Sequence, residues 1–443
     1  MDPWLTKTAS AQGRAIAAGK LCPVDLTEAY LSAIDTHPYG SRIYARLTER
    51  RALTEAMAAR SRAKSGFRRG PLDGVPLSWK DLFDTAGIGT EAGSALLRGR
   101  VPDTDAVVLQ AATQAGTICL GKTHMTELAY SGLGLNPVTA TPPCINDPDL
   151  VPGGSSSGAA TSVAFGLAAL GIGSDTGGSV RIPAAWNDLV GLKTTSGLLS
   201  LDGAVPLAPR FDTIGPLARS VEDCAQALAV LGAMPLLDLT GASLSGRRFL
   251  VLDGAPFDAI RDAPQAGFDL AVDALARAGA QITRAELTCV SDALALSAPI
   301  YTPETYAQWR DLIESAPELM FGPVLARFRS GRDVLATDYV TAWARLDQLR
   351  QTYLAQTAGF DAVLLPTAPN LPPNAQRLLD DPAYFAAENL LALRNTRIGN
   401  LLGLCALTLP TGIPSVGISL MAPPMQERRL LRLGAAAERA LAG

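Results

Sequence analysis

Histidine is almost absent from this sequence, which contains only His37 and His124 among its 443 residues. The six cysteines are scattered, and no two of them form a C-x-x-C pair. Protein zinc sites combine several His and Cys side chains at short spacings, so this scarcity disfavours a metal site. It also leaves few candidates for a Ser-His-Asp mechanism. We expect no metal ion and no other cofactor.

An excess of basic charge and long apolar runs are lacking as well. The chain has 38 Lys and Arg against 42 Asp and Glu, a net charge of −4, and no basic block that would indicate nucleic-acid binding. No apolar run approaches the roughly 18 residues of a membrane span, and no signal-peptide pattern opens the sequence. Isolated cysteines in apolar surroundings are typical of a reducing compartment. We therefore predict a cytoplasmic protein with neither a nucleic-acid nor a membrane partner.

The sequence does have a globular composition in which helical and strand patterns alternate. Hydrophobic residues make up 48% and charged residues 18% of the chain. Strand patterns at 248–252 and 361–366 alternate with helical patterns at 264–278 and 338–357. This alternation predicts an α/β fold with a mixed central β-sheet covered by α-helices on both faces. No repeat or linker is visible, so we predict one domain over residues 1–443.

Two local predictions concern the ends of elements. Residues 1–66 are predicted to be helical, and 123–130 to form a short helix. Ser220 is predicted to cap a following helix, because Asp223 stands three residues further on.

The stretch that carries chemistry runs over residues 152–193. Two Gly-Gly-Ser triplets, at 153–155 and 177–179, flank an Ala-rich segment at 159–170 that predicts a buried helix. Glycine allows backbone N–H groups to approach a ligand closely. Free N–H groups beside a serine hydroxyl provide a nucleophile next to an oxyanion hole, which is the arrangement that acyl transfer requires.

A serine nucleophile here needs a base other than histidine. The GSSSG segment at 154–158 fits the G-x-S-x-G nucleophile elbow, but the histidine of that elbow follows its serine, whereas both histidines here precede Ser156. A lysine can act as the base, because burial disfavours its ammonium form. Lys80 ends the apolar run 75–79 and is our candidate, with Lys193 as its rival. The alternative for Lys80 is a strand-end lysine whose head group reaches water.

Longer motifs surround these candidates. They are GVPLSWKD (74–81), PGGSSSG (152–158), GSDTGGSVRIP (173–183), GLK (191–193), FDTIGPLARSVED (211–223) and GNLLGLCA (399–406). With these motifs the chain resembles the amidase signature family of Ser–Ser–Lys amide hydrolases. The resemblance extends from about residue 10 to the end. It implies a motif core at about 70–225 and a variable substrate-pocket region at about 245–390.

The resemblance implies a catalytic role for three residues. Ser179 would be the nucleophile and Lys80 the base. Ser155 would pass the proton between them, and the resemblance implies a cis peptide bond at this serine.

Further residues are expected around these three. The resemblance implies that an oxyanion hole is formed by the N–H groups of Thr176, Gly177, Gly178 and Ser179. It implies support for the network from Ser156, Asp175 and Arg181. Arg181 would orient the loop, and contact with a substrate carboxylate is its alternative role.

The substrate pocket is expected to draw on two parts of the chain. The resemblance implies that the pocket is lined by Ala129, Tyr130 and Ser131. From the variable region, candidate lining residues are Tyr301, Tyr306 and Trp309, whose alternative is packing in the hydrophobic core.

The predicted function is an amidase of the EC 3.5.1 type that hydrolyses a small carboxylic amide to the acid and ammonia. Two alternatives within the family are the amidase component of a tRNA-dependent amidotransferase, its A-type subunit, and a biuret- or allophanate-type hydrolase. A binding or scaffold protein with a dead site is disfavoured, because Lys80, Ser155 and Ser179 are all present. The expected partner is a small-molecule amide, and a homodimer stays open.

Overall fold

An eleven-stranded mixed β-sheet forms the centre of the molecule. The computed structural model describes residues 2–443. The strands are β1 (Tyr44–Leu47), β2 (Pro76–Lys80), β3 (Ile118–Thr123), β4 (Leu170–Ser174), β5 (Val190–Lys193), β6 (Ile214–Ala218), β7 (Arg248–Asp253), β8 (Gln281–Glu286), β9 (Ala362–Pro366), β10 (Cys405–Pro410) and β11 (Gly417–Ala422). Their order across the sheet is β1-β3-β2-β4-β6-β5-β10-β11-β9-β7-β8.

Helices cover both faces of this sheet, which confirms the predicted α/β fold. They are α1 (Ala9–Ala17), α2 (Pro23–Thr36), α3 (Gly40–Ile43), α4 (Glu49–Lys64), α5 (Val107–Gln114), α6 (Ser157–Ala164), α7 (Arg181–Trp186), α8 (Val221–Leu231), α9 (Asp262–Arg277), α10 (Thr288–Ala295), α11 (Ser297–Ser315), α12 (Gly322–Arg329), α13 (Ala336–Thr357), α14 (Ala375–Asp380), α15 (Pro382–Leu401) and α16 (Glu427–Leu441).

Strand β7 shows why the central strands are apolar throughout. Its side chains alternate between the two faces, as they do in any β-strand. Phe249 and Val251 pack into one hydrophobic cluster, whereas Leu250 and Leu252 pack into another. Both faces of the strand are therefore buried under helices, and a continuous apolar run results.

The parallel part of the sheet positions the site. Strand β2 lies between β3 and β4 and runs parallel to both. Trp79 of β2 pairs with Ile172 of β4, so Lys80 and Ser174 follow at neighbouring strand ends. The carboxyl ends of parallel strands meet at one edge, where loops can converge.

The structure corrects two local predictions. Residues 1–66 are not helical throughout, because Tyr44–Leu47 forms the edge strand β1, paired antiparallel to β3. The predicted helix at 123–130 is only a 3₁₀ turn at Glu127–Ala129, in which Leu128 and Ala129 have positive φ angles of 45° and 60°. The capping prediction is confirmed, since the Asp223 amide donates to Ser220 Oγ at 3.1 Å.

Among residues 2–443, no helix is both long enough and apolar enough to cross a membrane.

Candidate active site

Lys80 is buried at the end of β2, with none of its surface exposed. Its ammonium nitrogen Nζ donates to Ser155 Oγ at 2.7 Å and to Ser174 Oγ at 2.8 Å. The neighbouring buried Lys122 differs, because it lies 3.4 Å from an Asp81 carboxylate oxygen. Burial lowers the pKa of Lys80 to about 7, although Asp175 and Asp212 act in the opposite direction.

The serine-rich loop before α6 brings Ser155 to this lysine. The peptide bond between Gly154 and Ser155 is cis, as the resemblance implies. The next residue, Ser156, ties the loop to the end of β4: its hydroxyl donates to the Ser174 carbonyl at 3.1 Å and accepts from the Ser174 amide at 3.3 Å. The Ser156 amide also donates to the Ser179 carbonyl at 3.2 Å. Ser156 thus joins both Gly-Gly-Ser triplets.

The second glycine-rich loop, residues 176–179, carries Ser179 to the floor of a cavity. Ser179 is 4% exposed and lines this cavity. Gly178 has a φ of 139°, and a Cβ at this position would collide with Thr396 Oγ1. Only glycine fits there, because the backbone conformation and the close neighbour both exclude a side chain.

The amides of this loop are not equivalent. The Gly178 amide donates to Asp175 Oδ1 at 2.9 Å. The amides of Thr176, Gly177 and Ser179 donate to no other group among residues 2–443. Of the four predicted oxyanion-hole amides, three are therefore free and that of Gly178 is already engaged.

Asp175 and Arg181 form a buried ion pair behind this loop. Arg181 donates to Asp175 through Nε at 3.0 Å and through a terminal nitrogen at 2.9 Å. Asn400 also donates to Asp175, at 3.0 Å. Burial alone would raise the pKa of Asp175, but Arg181 outweighs it and holds this pKa well below its usual range. The guanidinium of Arg181 is thereby occupied, so the alternative contact with a substrate carboxylate does not fit.

Two residues near the loop were not assigned to the site from the sequence. Ser174 accepts a hydrogen bond from Lys80. The parallel pairing of β2 with β4 was the signal that could have assigned Ser174 to the site. Asp212 accepts from Thr176 Oγ1 at 2.5 Å and from the Leu207 amide at 2.9 Å. Burial raises the pKa of Asp212. The sequence shows that Asp212 lies in the FDT part of the 211–223 motif, but it does not show that Thr176 is its hydrogen-bond partner.

Beside Ser179 lies a cavity of about 350 Å³. The three predicted pocket residues at 129–131 all line it, as does Tyr301. The full lining comprises Ala129, Tyr130, Ser131, Thr176, Gly177, Ser179, Leu207, Leu294, Ala295, Ser297, Ala298, Tyr301, Thr302, Arg327, Ser330, Leu390, Leu393 and Arg397. The variable region therefore contributes much of the wall. Arg327 and Arg397 were not predicted, because each lies in a helix whose neighbours in space the sequence does not reveal.

The structure corrects the other aromatic candidates. Tyr306 and Trp309 do not line this cavity but belong to the hydrophobic core. The indole of Trp309 donates to the Pro206 carbonyl at 3.0 Å. Tyr301 differs, because its hydroxyl donates to the Thr176 carbonyl at 2.9 Å and so contacts the loop that carries Ser179.

The rival base Lys193 is buried elsewhere. It donates to the carbonyls of Thr194 and Leu404, at 2.9 Å and 2.7 Å, and not to a site serine. Neither His37 nor His124 lines the cavity. Burial lowers the pKa of His124 to about 4.

Comparison with known proteins identifies the family. The sequence profile of the Amidase family matches residues 25–431. The chain belongs to this family, and its chemistry is the hydrolysis of C–N bonds.

Individual relatives have different activities. A 2-amino-5-chloromuconic acid deaminase from Comamonas testosteroni is 36% identical over 394 residues, covering 86% of this chain and 84% of that protein. The A-type subunit of the glutamyl-tRNA(Gln) amidotransferase from Streptomyces coelicolor is 33% identical over 489 residues, covering 99% and 97%. The peptide amidase structure from Stenotrophomonas maltophilia superimposes with a TM-score of 0.82 at 27% identity, covering 100% and 98%.

Proposed function

We propose that the protein hydrolyses a small carboxylic amide to its acid and ammonia through an acyl-enzyme on Ser179. The observation that carries this proposal is the 2.7 Å contact between Lys80 Nζ and Ser155 Oγ, in a loop whose next residue, Ser156, donates from its amide to the carbonyl of the cavity-lining Ser179. Burial lowers the pKa of Lys80 to about 7, so the unprotonated form is accessible near neutral pH. Unprotonated Lys80 can accept a proton.

Acylation begins when Ser179 Oγ attacks the amide carbonyl carbon. The serine proton passes to Ser155, whose own hydroxyl proton passes to Lys80 Nζ. The carbonyl oxygen becomes an oxyanion, which the free amides of Thr176, Gly177 and Ser179 stabilise.

The tetrahedral intermediate then collapses and the C–N bond breaks. The proton on Lys80 returns through Ser155 to the departing nitrogen, which leaves as ammonia. Water next attacks the Ser179 ester, with Lys80 again accepting a proton through Ser155. The acid leaves, and Ser179 recovers its hydroxyl hydrogen.

Ammonia release by the purified chain tests this proposal. The substrate panel contains aliphatic amides, aryl amides, dicarboxylic half-amides and biuret-type ureas. Ser179→Ala should abolish turnover on any substrate that is used, and Lys80→Met should reduce it by several orders of magnitude. Ser157→Ala is the matched control, because Ser157 Oγ faces the His124 carbonyl at 3.3 Å and does not line the cavity. Undiminished turnover by Ser179→Ala would refute the acyl-enzyme.

A second candidate is the amidase component of an amidotransferase. It is favoured by the Streptomyces coelicolor relative, whose similarity spans 99% of this chain. Such a component would hydrolyse an amide by the same steps and pass the ammonia to a partner. Weak turnover by the chain alone, with a large increase on addition of partner subunits, would select this candidate.

A third candidate is ammonia release from an amino-substituted unsaturated dicarboxylic acid. The Comamonas testosteroni deaminase favours it, with 36% identity over 86% of this chain. Addition of 2-amino-5-chloromuconic acid to the same panel decides between this activity and amide hydrolysis.

A further inference from the structure

The wall of the cavity contains two charged side chains, and both are arginines. Arg327 comes from the last turn of α12 and Arg397 from α15. Among residues 2–443, no Asp or Glu oxygen lies within 4.0 Å of either guanidinium. The remaining lining residues are neutral. The protein therefore places two positive charges in this cavity without a negative charge to balance them.

Neither guanidinium is paired with a carboxylate or a carbonyl oxygen among residues 2–443. One terminal nitrogen of Arg327 is buried without a hydrogen-bond partner. Its carbon Cζ lies 4.4 Å from the centre of the Tyr130 ring, so an aromatic face holds this side chain in place. Arg397 donates no side-chain hydrogen bond to any group in residues 2–443. Arg327 thus retains an unpaired donor beside the Tyr130 ring, and the donors of Arg397 are unpaired.

The charges also act on one another. Burial lowers the pKa of Arg397 to about 10, and the charge of Arg327 acts in the same direction. Two half-buried cations that repel each other are unfavourable without an anion between or beside them. A carboxylate suits such a site, since its two oxygens match the paired N–H donors of a guanidinium group.

The position of Arg397 limits the size of the ligand. A Cβ built on Gly177 would lie 3.7 Å from Arg397 Cγ and 4.0 Å from Arg397 Nε. The arginine stem thus passes directly beside the loop that carries Ser179. An anion on this side chain would lie only a few bonds from a carbonyl carbon held at Ser179.

We propose that Arg327 and Arg397 form a carboxylate subsite, and that the substrate is the half-amide of a small dicarboxylic acid. This inference rests on the proposed amide hydrolysis. The substrate carboxylate binds the two guanidinium groups, while its amide carbonyl faces Ser179 and the free amides of Thr176, Gly177 and Ser179. Recognition of the carboxylate then selects the substrate and orients its amide end.

Succinamate and succinamide are the matched probes. They have the same chain length and the same kind of primary amide, but only succinamate carries a carboxylate. The wild-type enzyme should prefer succinamate in kcat/KM, and Arg397→Met should reduce kcat/KM for succinamate by roughly 10- to 100-fold, mainly through KM. The ratio of kcat/KM for succinamate to kcat/KM for succinamide should therefore fall in this variant, because succinamide offers no charge for Arg397 to bind.

Three further variants complete the test. Arg327→Met should also lower kcat/KM for succinamate. Arg397→Lys should recover part of the loss in kcat/KM that Arg397→Met causes. Arg394→Gln is the control, because Arg394 lies one turn earlier on α15, does not line this cavity and donates to the Pro256 carbonyl. An equal loss for both probes, or no wild-type preference for succinamate, would overturn the carboxylate subsite.

A binding measurement separates this inference from the proposed function. Calorimetric titration of succinate into Ser179→Ala requires no turnover, and Arg397→Met in that background should abolish the binding. Succinate binding that depends on Arg397 supports the subsite even where no amide is hydrolysed. Ammonia release from neutral amides, together with an absence of succinate binding, supports the hydrolysis and refutes the subsite.

Discussion

The arginines on the two sides of the Ser179 loop differ in whether a carboxylate neutralises their charge. Behind the loop, Arg181 is 1% exposed and donates to Asp175, to the Thr396 carbonyl at 2.7 Å and to Asn400 Oδ1 at 2.5 Å. In front of the loop, Arg327 and Arg397 line the cavity and no carboxylate lies within 4.0 Å of them in residues 2–443. The protein balances the first charge internally and leaves the other two for a ligand.

The paired arginine and the unpaired arginines therefore have different roles: the first keeps the loop rigid, and the others are suited to binding an anion. A buried ion pair whose remaining hydrogen-bonding groups are satisfied holds one loop conformation, since its loss would leave a charge uncompensated. Unpaired guanidinium groups contribute little to the stability of the fold, but they bind an anion through strong charge-assisted hydrogen bonds. Behind the loop a balanced charge thus holds the backbone, whereas in front of it the unbalanced charges of Arg327 and Arg397 can bind an anion.

The strongest test of the comparison removes the charge of Asp175. Asp175→Asn leaves Arg181 buried without its counter-charge, which should lower the free energy of unfolding by roughly 3–5 kcal/mol. Urea denaturation followed by circular dichroism measures the change. The control is Asp273→Asn, because Asp273 is exposed on α9. An Asp175→Asn variant as stable as the control would show that the pair does not hold the loop.

Changing the loop backbone should affect catalysis more than folding. Gly178→Ala places a Cβ where Thr396 Oγ1 lies and forces alanine to a φ of 139°, so the free amides should move. Because loss of a single oxyanion donor reduces kcat by about 10²–10³, we expect a loss of that size.

Steady-state kinetics on the best substrate of the panel measures this effect. Gly197→Ala serves as the control, because Gly197 also has a positive φ, 86°, but nothing lies within 4 Å of its Cβ position. A similar fall in kcat for both variants would mean that general backbone strain, and not the loop amides, causes the loss.

The pH profile compares a group that titrates near neutrality with groups that do not. Lys80 must be unprotonated to act as base, so kcat/KM should rise with pH and level off above a pKa of about 7. Two units below that pKa the rate should be about 100-fold lower. The preference for succinamate over succinamide should stay constant from pH 6 to pH 8, because the guanidinium groups remain charged.

Glu127 requires a control in the same pH range. Burial raises the pKa of Glu127 to about 7, against hydrogen bonds from the Phe321 amide and Ser94. Glu127→Gln removes this titration without altering Lys80. Persistence of the acidic limb in Glu127→Gln assigns the limb to Lys80, whereas its disappearance contradicts the proposed base.

Sequence reasoning reached the residues of the loops better than those of the wall. Lys80, Ser155 and Ser179 stand in or beside segments whose composition indicates close backbone approach and reactive side chains. The structure brings Lys80 and Ser155 into contact and places Ser179 on the cavity. Arg397 gives no such local signal, because it follows Arg394 on a helix and its role depends on the elements packed around it.

The same limit applies to the fold. Strands β7 and β9 were predicted near their observed ends, since burial on both faces produces continuous apolar runs. The edge strand β1 was missed, because it has only four residues, three of them only partly buried, and it is defined by pairing with β3. Local pattern predicts elements that the core buries, whereas edges and pocket walls depend on distant neighbours.

The smallest expected effect is also the one that separates the two regions most directly. Arg397→Met preserves the stem beside Gly177 and removes an unpaired charge, so the free energy of unfolding should rise by up to about 1 kcal/mol. Arg181→Met should instead lower it by roughly 3–5 kcal/mol, because Asp175 is left buried and alone. Urea denaturation measures both.

Succinate at about 100 times its Kd should stabilise the wild type by about 2.7 kcal/mol and Arg397→Met hardly at all. Equal destabilisation by the two substitutions would mean that Arg397 is a structural residue like Arg181, and the contrast between the two sides of the loop would disappear.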